Sequence, residues 1–115
     1  MAVEIYHNPR CGKSRETLAL LEEKGIVPKV RLYLEDPLSE KELQTVLKKL
    51  HMEAKNLLRT KEQEYKDQVE RYGRPNNSQA IEWMVKFPKL MERPIVINGS
   101  KAALGRPPEN VLEIL

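Results

Sequence analysis

The sequence lacks features that define several classes of protein. It contains a single cysteine, which excludes an intramolecular disulfide, a Cys-x-x-Cys redox motif and a multi-cysteine metal site. No run approaches the roughly 18 apolar residues of a membrane span. Glu4 interrupts the first apolar stretch, and no basic segment precedes it, a pattern unlike that of a signal peptide. We therefore expect a cytoplasmic protein with no membrane segment and with a reduced thiol.

The charge balance gives no indication of a nucleic-acid partner. Lys and Arg number 20 against 17 Asp and Glu, which leaves a net charge of +3. Residues of both signs are mixed along the predicted helices, as on solvated helix faces, whereas a nucleic-acid interface needs a basic stripe. The 115 residues, 40% hydrophobic, suit one globular domain over residues 1–115. We expect this domain to be a monomer that binds no nucleic acid.

The first third of the chain predicts a strand, a loop, a helix and a second strand. Residues 2–6 alternate as in a strand, and residues 7–12 contain the proline and glycine of a tight loop. Ser14 is the predicted N-cap of a helix that ends at Gly25 and buries a face of four residues: Thr17, Leu18, Leu20 and Leu21. Residues 29–34 predict a second strand, parallel to the first because a helix separates the two.

The middle of the chain predicts helices. Ser39 and Glu42 form a capping box that opens a helix through about Leu50. Residues 51–89 read as helical, interrupted by the Gly-Arg-Pro-Asn-Asn sequence at 73–77. Ser78 is the predicted cap of the helix that follows this break.

The last third of the chain predicts a hairpin and a final helix. Residues 94–97 form a short apolar strand, and the Asn-Gly pair that follows indicates a hairpin into a strand at 101–104. The Pro-Pro pair at 107–108 opens a helix with the predicted face Val111, Leu112 and Leu115. The order is βαβα, a helical insert, then ββα. It predicts a thioredoxin-like α/β fold, a mixed four-stranded sheet flanked by helices.

The first loop is the most informative segment for function. Cys11 stands where a strand passes into a helix, and helix N-termini lower thiol pKa values and bind tetrahedral anions. Basic residues surround it at Arg10, Lys13 and Arg15, and His7 is a candidate thiolate partner across the loop. The alternative for Cys11 is a small buried apolar residue. The alternative for His7 is a histidine paired with the backbone at the strand end.

The sequence at 7–15, His-Asn-Pro-Arg-Cys-Gly-Lys-Ser-Arg, resembles the catalytic loop of the glutaredoxin-dependent arsenate reductases. Three further blocks match in order: Leu-Leu-Arg at 57–59, Glu-Arg-Pro-Ile-Val at 92–96 and Gly-Arg-Pro at 105–107. The resemblance implies a thioredoxin-like fold and covers nearly the whole chain. The family's short, chromosomally encoded branch is the one it resembles. Lys13 departs from the threonine that is familiar at this position.

The resemblance also assigns roles. It implies that Cys11 attacks arsenate and that three arginines hold the oxyanion: Arg59, Arg93 and Arg106. It implies a cis-proline at Pro94, with His7, Ser14 and Arg15 supporting the thiolate or its loop. No bound cofactor and no metal are expected. Glutathione is the implied co-substrate and glutaredoxin the implied partner, which agrees with a chain that has no second thiol to resolve an oxidised cysteine.

Two other functions stay open on the residues alone. The first is a general thiol oxidoreductase or deglutathionylating protein that uses Cys11 by itself. The second is a redox or transcription regulator of the Spx type, on the same fold. Such regulators carry Cys-x-x-Cys in the first loop, where this chain has Ser14 at the second position.

Overall fold

The computed structural model describes residues 2–115, so that Met1, the start of the predicted domain, lies outside it. The strands and α-helices, in order, are β1 (Val3–Tyr6), α1 (Gly12–Glu23), β2 (Lys29–Arg31), α2 (Glu40–Leu50), α3 (Gln63–Tyr72), α4 (Asn77–Lys86), β3 (Ile95–Asn98) and β4 (Lys101–Leu104). Short 3₁₀ helices span Ala54–Leu57, Pro88–Leu90 and Pro108–Ile114. The element order is the one predicted, except that the last helix is a 3₁₀ helix.

The described chain divides into two compact units. The first combines the segment that ends at Asp36 with Arg93–Leu115, and the second is Pro37–Glu92. The first unit contains the whole sheet, α1 and the C-terminal 3₁₀ helix, whereas the second is helical. None of the helices in residues 2–115 has both the length and the apolar composition of a membrane span.

The four strands form one sheet in the order β2-β1-β3-β4. Ile5 is the register partner of Val30 in the parallel pair and of Val96 in the antiparallel pair. The β3–β4 hairpin turns at Gly99, whose φ of 64° is accessible to glycine without strain. The mixed sheet and the predicted parallel pairing are thus confirmed, and the fold is thioredoxin-like.

Both faces of the sheet are buried. On one face Val3, Ile5 and Val96 pack with Leu21 of α1 and Val111 of the C-terminal 3₁₀ helix. On the opposite face lie three buried residues of β1 and β3: Tyr6, Ile95 and Ile97. Burial on both faces explains why β3 is an uninterrupted apolar run rather than an alternating one.

The start of α1 differs from the prediction. The helix begins at Gly12 and its N-cap is Cys11, so Ser14 is not the cap but the third residue of the first turn. Ser14 is fully buried and its hydroxyl bonds to the preceding loop, which draws the helix start toward Cys11. The predicted end is confirmed, because Gly25 has a φ of 78° and its N–H bonds to Glu22 as in a Schellman motif.

The second strand is shorter than predicted. β2 ends at Arg31, because the carbonyl oxygen of Leu32 accepts hydrogen bonds from the N–H groups of Glu35 and Asp36 and turns the chain. The predicted strand residues 32–34 therefore lie in a turn. Tyr33 points inward there and is buried, whereas Leu32 and Leu34 are exposed.

Helix caps in the second unit are set by local hydrogen bonds. The predicted capping box of Ser39 and Glu42 is present. The cap of α4 is not Ser78 but Asn76, which forms its own capping box with Gln79. Asparagine is as good an N-cap as serine, and glutamine at the third helical position completes the pair.

The predicted C-terminal face is partly wrong because the segment is a 3₁₀ helix. Three residues per turn place Pro108, Val111 and Ile114 on one side, and all three are buried or packed against the core. Leu112 and Leu115, which the α-helical pattern placed inside, are exposed.

Candidate active site

The loop between β1 and α1 places the thiol of Cys11 at a helix start. Cys11 has the extended backbone of an N-cap, with φ −94° and ψ 124°. Its N–H donates to the carbonyl oxygen of Asn8 at 3.0 Å, and its own carbonyl accepts from the N–H of Arg15 at 3.0 Å. The first turn of α1 contains no acidic residue. The unpaired N–H groups of a 12-residue helix therefore face the sulfur without a competing carboxylate.

The surroundings of Cys11 lower its pKa below the ordinary value. Burial of the thiol raises the pKa, but several interactions with the thiolate together outweigh it. They are, in order, the backbone N–H of Ser14, the charge and side-chain hydrogen bond of Arg93, and the backbone N–H of Lys13. An anion at an N-cap accepts from the N–H groups of the second and third helical residues, which here are Lys13 and Ser14. Cys11 is the N-cap residue of α1 and its side chain makes no capping hydrogen bond in this structure, so ionisation of the thiol gives the N–H groups of the first turn a charge to interact with.

His7 and Ser14 form a buried network under the loop. The Nδ1 of His7 lies 2.6 Å from the hydroxyl oxygen of Ser14, and that oxygen also accepts the N–H of Asn8 at 2.9 Å. Burial of the ring and the nearby charge of Arg15 lower the pKa of His7. The Nδ1 of the neutral ring can then accept a hydrogen bond from the hydroxyl of Ser14. The ring of His7 is hydrogen-bonded to Ser14 at the start of α1, and a role of His7 as a partner of the thiolate stays a prediction.

The cations that flank Cys11 in sequence make contacts of their own. Arg15 donates from Nη1 to the carbonyl oxygen of Pro9 at 2.9 Å and so braces the loop. The ammonium of Lys13 pairs with Glu16 at 3.5 Å, and Lys13 favours the thiolate through its backbone N–H. The side chain of Arg10 is exposed to solvent. The side chain that favours the thiolate comes instead from Arg93, at the far end of the sequence.

Arg93 and Arg106 meet beside this loop. The Arg93–Pro94 bond is cis, as the resemblance implied, and the Arg106–Pro107 bond is cis as well, which the sequence analysis did not foresee. The Nη1 of Arg106 donates to the carbonyl oxygen of Arg93 at 3.2 Å. The Nε of Arg93 is buried and has no hydrogen-bond partner within residues 2–115. A buried, unpaired guanidinium N–H is a donor ready for an anion.

Gly105 allows these segments to approach closely. Its N–H donates to the carbonyl oxygen of Pro94 at 2.9 Å. A Cβ at this position would lie 2.6 Å from the hydroxyl of Thr17 and 2.8 Å from Pro94. The matched Gly-Arg-Pro block is the only sequence signal for this contact, and it does not reveal the close approach to α1.

Arg59 belongs to the second unit, and its contacts are with residues of that unit. Its Nη1 lies 3.3 Å from Glu92, and its Nε lies 3.5 Å from Glu62. Its backbone N–H donates to the carbonyl oxygen of Leu90 at 2.7 Å. Its role toward Cys11 stays a prediction. Within the described residues, no group of three or more His, Cys, Asp or Glu side chains is arranged to hold a metal ion.

The arrangement suits a thiolate that attacks an anionic electrophile. A nucleophilic sulfur, helix N–H groups and a guanidinium with a spare donor converge within one unit. Forked guanidinium donors match oxyanions and keep their charge at any physiological pH. Cys11, Arg93, Arg106, Pro94, His7, Ser14 and Arg15 are all within this first unit.

Comparison with known proteins finds close matches over the whole chain. The model of the ArsC family matches residues 6–114. The uncharacterized protein YfgD of Escherichia coli K12 is 53% identical, with 98% of this chain and 96% of that protein covered. An arsenate reductase of Haemophilus influenzae is 50% identical over the full length of both chains. The solved structure of an arsenate reductase from Vibrio cholerae has a TM-score of 0.94 at 47% identity, covering 100% of this chain and 98% of that one.

Proposed function

The chain belongs to the ArsC family, and from that premise we propose that it reduces arsenate to arsenite with the Cys11 thiolate as nucleophile. The observation that supports this most strongly is the placing of the sulfur against the helix N–H groups and Arg93, which lowers its pKa. Relatives at 50% and 40% identity are arsenate reductases. An attacking thiolate is needed because a protonated thiol is a poor nucleophile.

The first step is substitution at arsenic. The Cys11 sulfur forms a bond to arsenic, an arsenic–oxygen bond breaks, and that oxygen leaves as water after it gains protons. Both reactants are anionic, so the charge that accumulates needs compensation. We assign this to Arg93, whose buried Nε is unpaired within the described chain, and to Arg106, which hydrogen-bonds to the backbone of Arg93. Donors fixed before the reaction stabilise developing charge without reorganisation.

The second step requires an external thiol, because the chain has no other cysteine. Glutathione attacks the sulfur of the Cys11–arsenic adduct, arsenic is reduced to arsenite, and Cys11 is left in a mixed disulfide with glutathione. A glutaredoxin thiol then takes the glutathione and releases the Cys11 thiolate. Two thiols are oxidised for each arsenate reduced, which balances the electrons. We place the cycle in the cytoplasm, where thiols are kept reduced.

Arg59 is the third proposed oxyanion ligand. It is held by the carboxylates of Glu62 and Glu92 at 3.5 and 3.3 Å. Charge-assisted hydrogen bonds are usually about 2.7–2.9 Å long, so both contacts are loose. An arsenate oxygen would offer shorter bonds to the same donors. We therefore propose that Arg59 is hydrogen-bonded to the two carboxylates in the ligand-free protein and exchanges them for the oxyanion when arsenate binds.

The test is arsenate-dependent NADPH consumption with glutathione, glutaredoxin and glutathione reductase. The parent chain should turn over, and Cys11→Ser should have no activity while its circular dichroism spectrum is unchanged. A serine variant as active as the parent would remove Cys11 from the reaction. No turnover of the parent with arsenate, with disulfide exchange retained, would replace arsenate reduction by general thiol exchange.

The arginines are tested by arsenate protection of Cys11 from iodoacetamide. Arg59→Ala and Arg93→Ala should each weaken protection, because a hydrogen bond to a charged group contributes about 1.5–3 kcal/mol. The control for Arg59→Ala is Arg74→Ala, because Arg74 belongs to the same unit and is exposed in the break between α3 and α4. Protection that is equal in the parent and in Arg59→Ala would exclude Arg59 from the site.

A further inference from the structure

An apolar groove lies beside the loop that carries Cys11. It has a volume of about 290 Å³, and its lining residues come from the loop and from the turn after β2: His7, Asn8, Pro9, Arg10, Leu32, Leu34 and Glu35. Leu32 and Leu34 are 36% and 42% exposed, and Val30 on the adjoining edge strand β2 is 44% exposed. Contiguous exposed apolar side chains with a polar rim mark protein contact surfaces.

We propose that this groove docks the glutaredoxin-type protein that regenerates Cys11, an inference that rests on the proposed function. One wall of the groove is formed by residues 7–10, which immediately precede Cys11 in the chain. The N–H of Cys11 donates a hydrogen bond to the carbonyl oxygen of Asn8 in that wall. A protein seated in the groove therefore contacts the loop that holds the reacting sulfur. The chain cannot complete the cycle without such a partner, because it has no second cysteine.

The charges around the groove favour this partner over a second copy of the chain. Three cations, Arg10 at the groove and Lys13 and Arg15 exposed at the adjacent start of α1, outnumber two carboxylates, Glu35 in the lining and Glu16 beside Lys13. Two copies joined face to face here would bring these cations together, and like charges at an interface oppose association. A partner with an apolar contact surface and acidic residues around its thiol complements both features.

The docked reaction is a thiol–disulfide exchange. The glutaredoxin thiolate attacks the glutathione sulfur of the Cys11–glutathione disulfide, and a disulfide forms between glutaredoxin and glutathione. The Cys11–glutathione bond breaks and the electron pair leaves with Cys11 as a thiolate. A leaving thiol with a lowered pKa departs faster, and the surroundings of Cys11 stabilise this thiolate. No additional oxidant or reductant is needed.

The test uses the full-length chain glutathionylated at Cys11 and follows its deglutathionylation by glutaredoxin. Leu32→Asp and Leu34→Asp should each raise the glutaredoxin concentration for half-maximal rate about tenfold. Each substitution removes an apolar side chain that the partner would bury and puts a carboxylate in its place. Leu112→Asp and Leu115→Asp are the matched controls, because these leucines are 38% and 43% exposed and do not line the groove. The controls should behave as the parent.

Three results would overturn the docking inference. In the first, the groove variants have the parent's half-maximal concentration. In the second, they react more slowly with dithiothreitol to the same degree, which would place their effect on Cys11 itself. In the third, the parent forms a dimer that Leu34→Asp dissociates. Because arsenate is absent from this assay, failure of the arsenate assay alone would count against the proposed function and not against the groove.

Discussion

Replacement of Arg93 by methionine tests the electrostatic explanation of the Cys11 thiolate. Arg93 is the side chain whose charge and hydrogen bond lower the pKa of Cys11. Methionine keeps most of the length of the side chain and removes both effects. The pKa of Cys11 should therefore rise, and less thiolate should be present at a given pH below that pKa.

The size of the effect can be bounded with Coulomb's law for two charges at hydrogen-bonding range. Two unit charges about 4 Å apart interact by about 4 kcal/mol at an effective dielectric constant of 20 and by about 1 kcal/mol in water. Cys11 is half-buried, so the interaction energy between its thiolate and Arg93 lies toward the lower of these limits once solvent screening is included. We take about 1.4 kcal/mol, which corresponds to about tenfold less thiolate in the acidic range.

The assay is the rate of iodoacetamide alkylation of Cys11 as a function of pH. The Arg93→Met variant should react about tenfold more slowly at acidic pH and should approach the parent rate at high pH, where the thiol is ionised in both. The control is Arg10→Met, because Arg10 adjoins Cys11 in sequence but is exposed, so that solvent screens its charge. A pH profile of Arg93→Met that coincides with the parent's, or an equal change in Arg10→Met, would refute the reasoning.

Three further predictions concern stability. Gly105→Ala should lower the free energy of unfolding in urea by about 1–3 kcal/mol, because the new Cβ would meet Thr17 at 2.6 Å; Gly12→Ala, whose Cβ has 3.8 Å of space, should not. Ser14→Ala should cost about 1–3 kcal/mol, since it leaves buried groups of the loop unpaired, and a urea midpoint equal to the parent's would contradict this. The pKa of His7 is lowered, so its neutral ring contributes stability above pH 6.5 that is lost as the pH falls through the lowered value; His7→Gln should flatten that decline in urea titrations, and parallel declines would argue against it.

Local patterns predicted much of this protein correctly. The capping box of Ser39 and Glu42 and the Asn-Gly hairpin depend on neighbours a few residues apart, and both are present. The motif around the single cysteine correctly placed Cys11 between the first strand and the first helix, because a strand that runs into a helix through a tight loop is encoded locally. The thioredoxin-like fold followed from the order of these elements and the matched blocks.

Other local predictions failed where two patterns compete. Ser14 and Ser78 are both good N-caps by composition, yet Cys11 and Asn76 take those positions. In each case the alternative start gains more hydrogen bonds, through the buried hydroxyl of Ser14 or the reciprocal pair of Asn76 and Gln79. Leu112 was predicted to face the core because an α-helix has 3.6 residues per turn. The segment is a 3₁₀ helix with 3 residues per turn, which places Leu112 on the exposed side.

By itself the sequence determined which residue is the candidate nucleophile, because the chain has one cysteine and the nine-residue motif around it predicts a helix start. Only the tertiary structure decided what stabilises that sulfur. The cations next to Cys11 in the chain point to other partners or to solvent, and the guanidinium beside it comes from Arg93. The pairing of β1 with β3 brings that distant segment next to the loop. Electrostatic interaction depends on separation in space, which the order of residues does not specify.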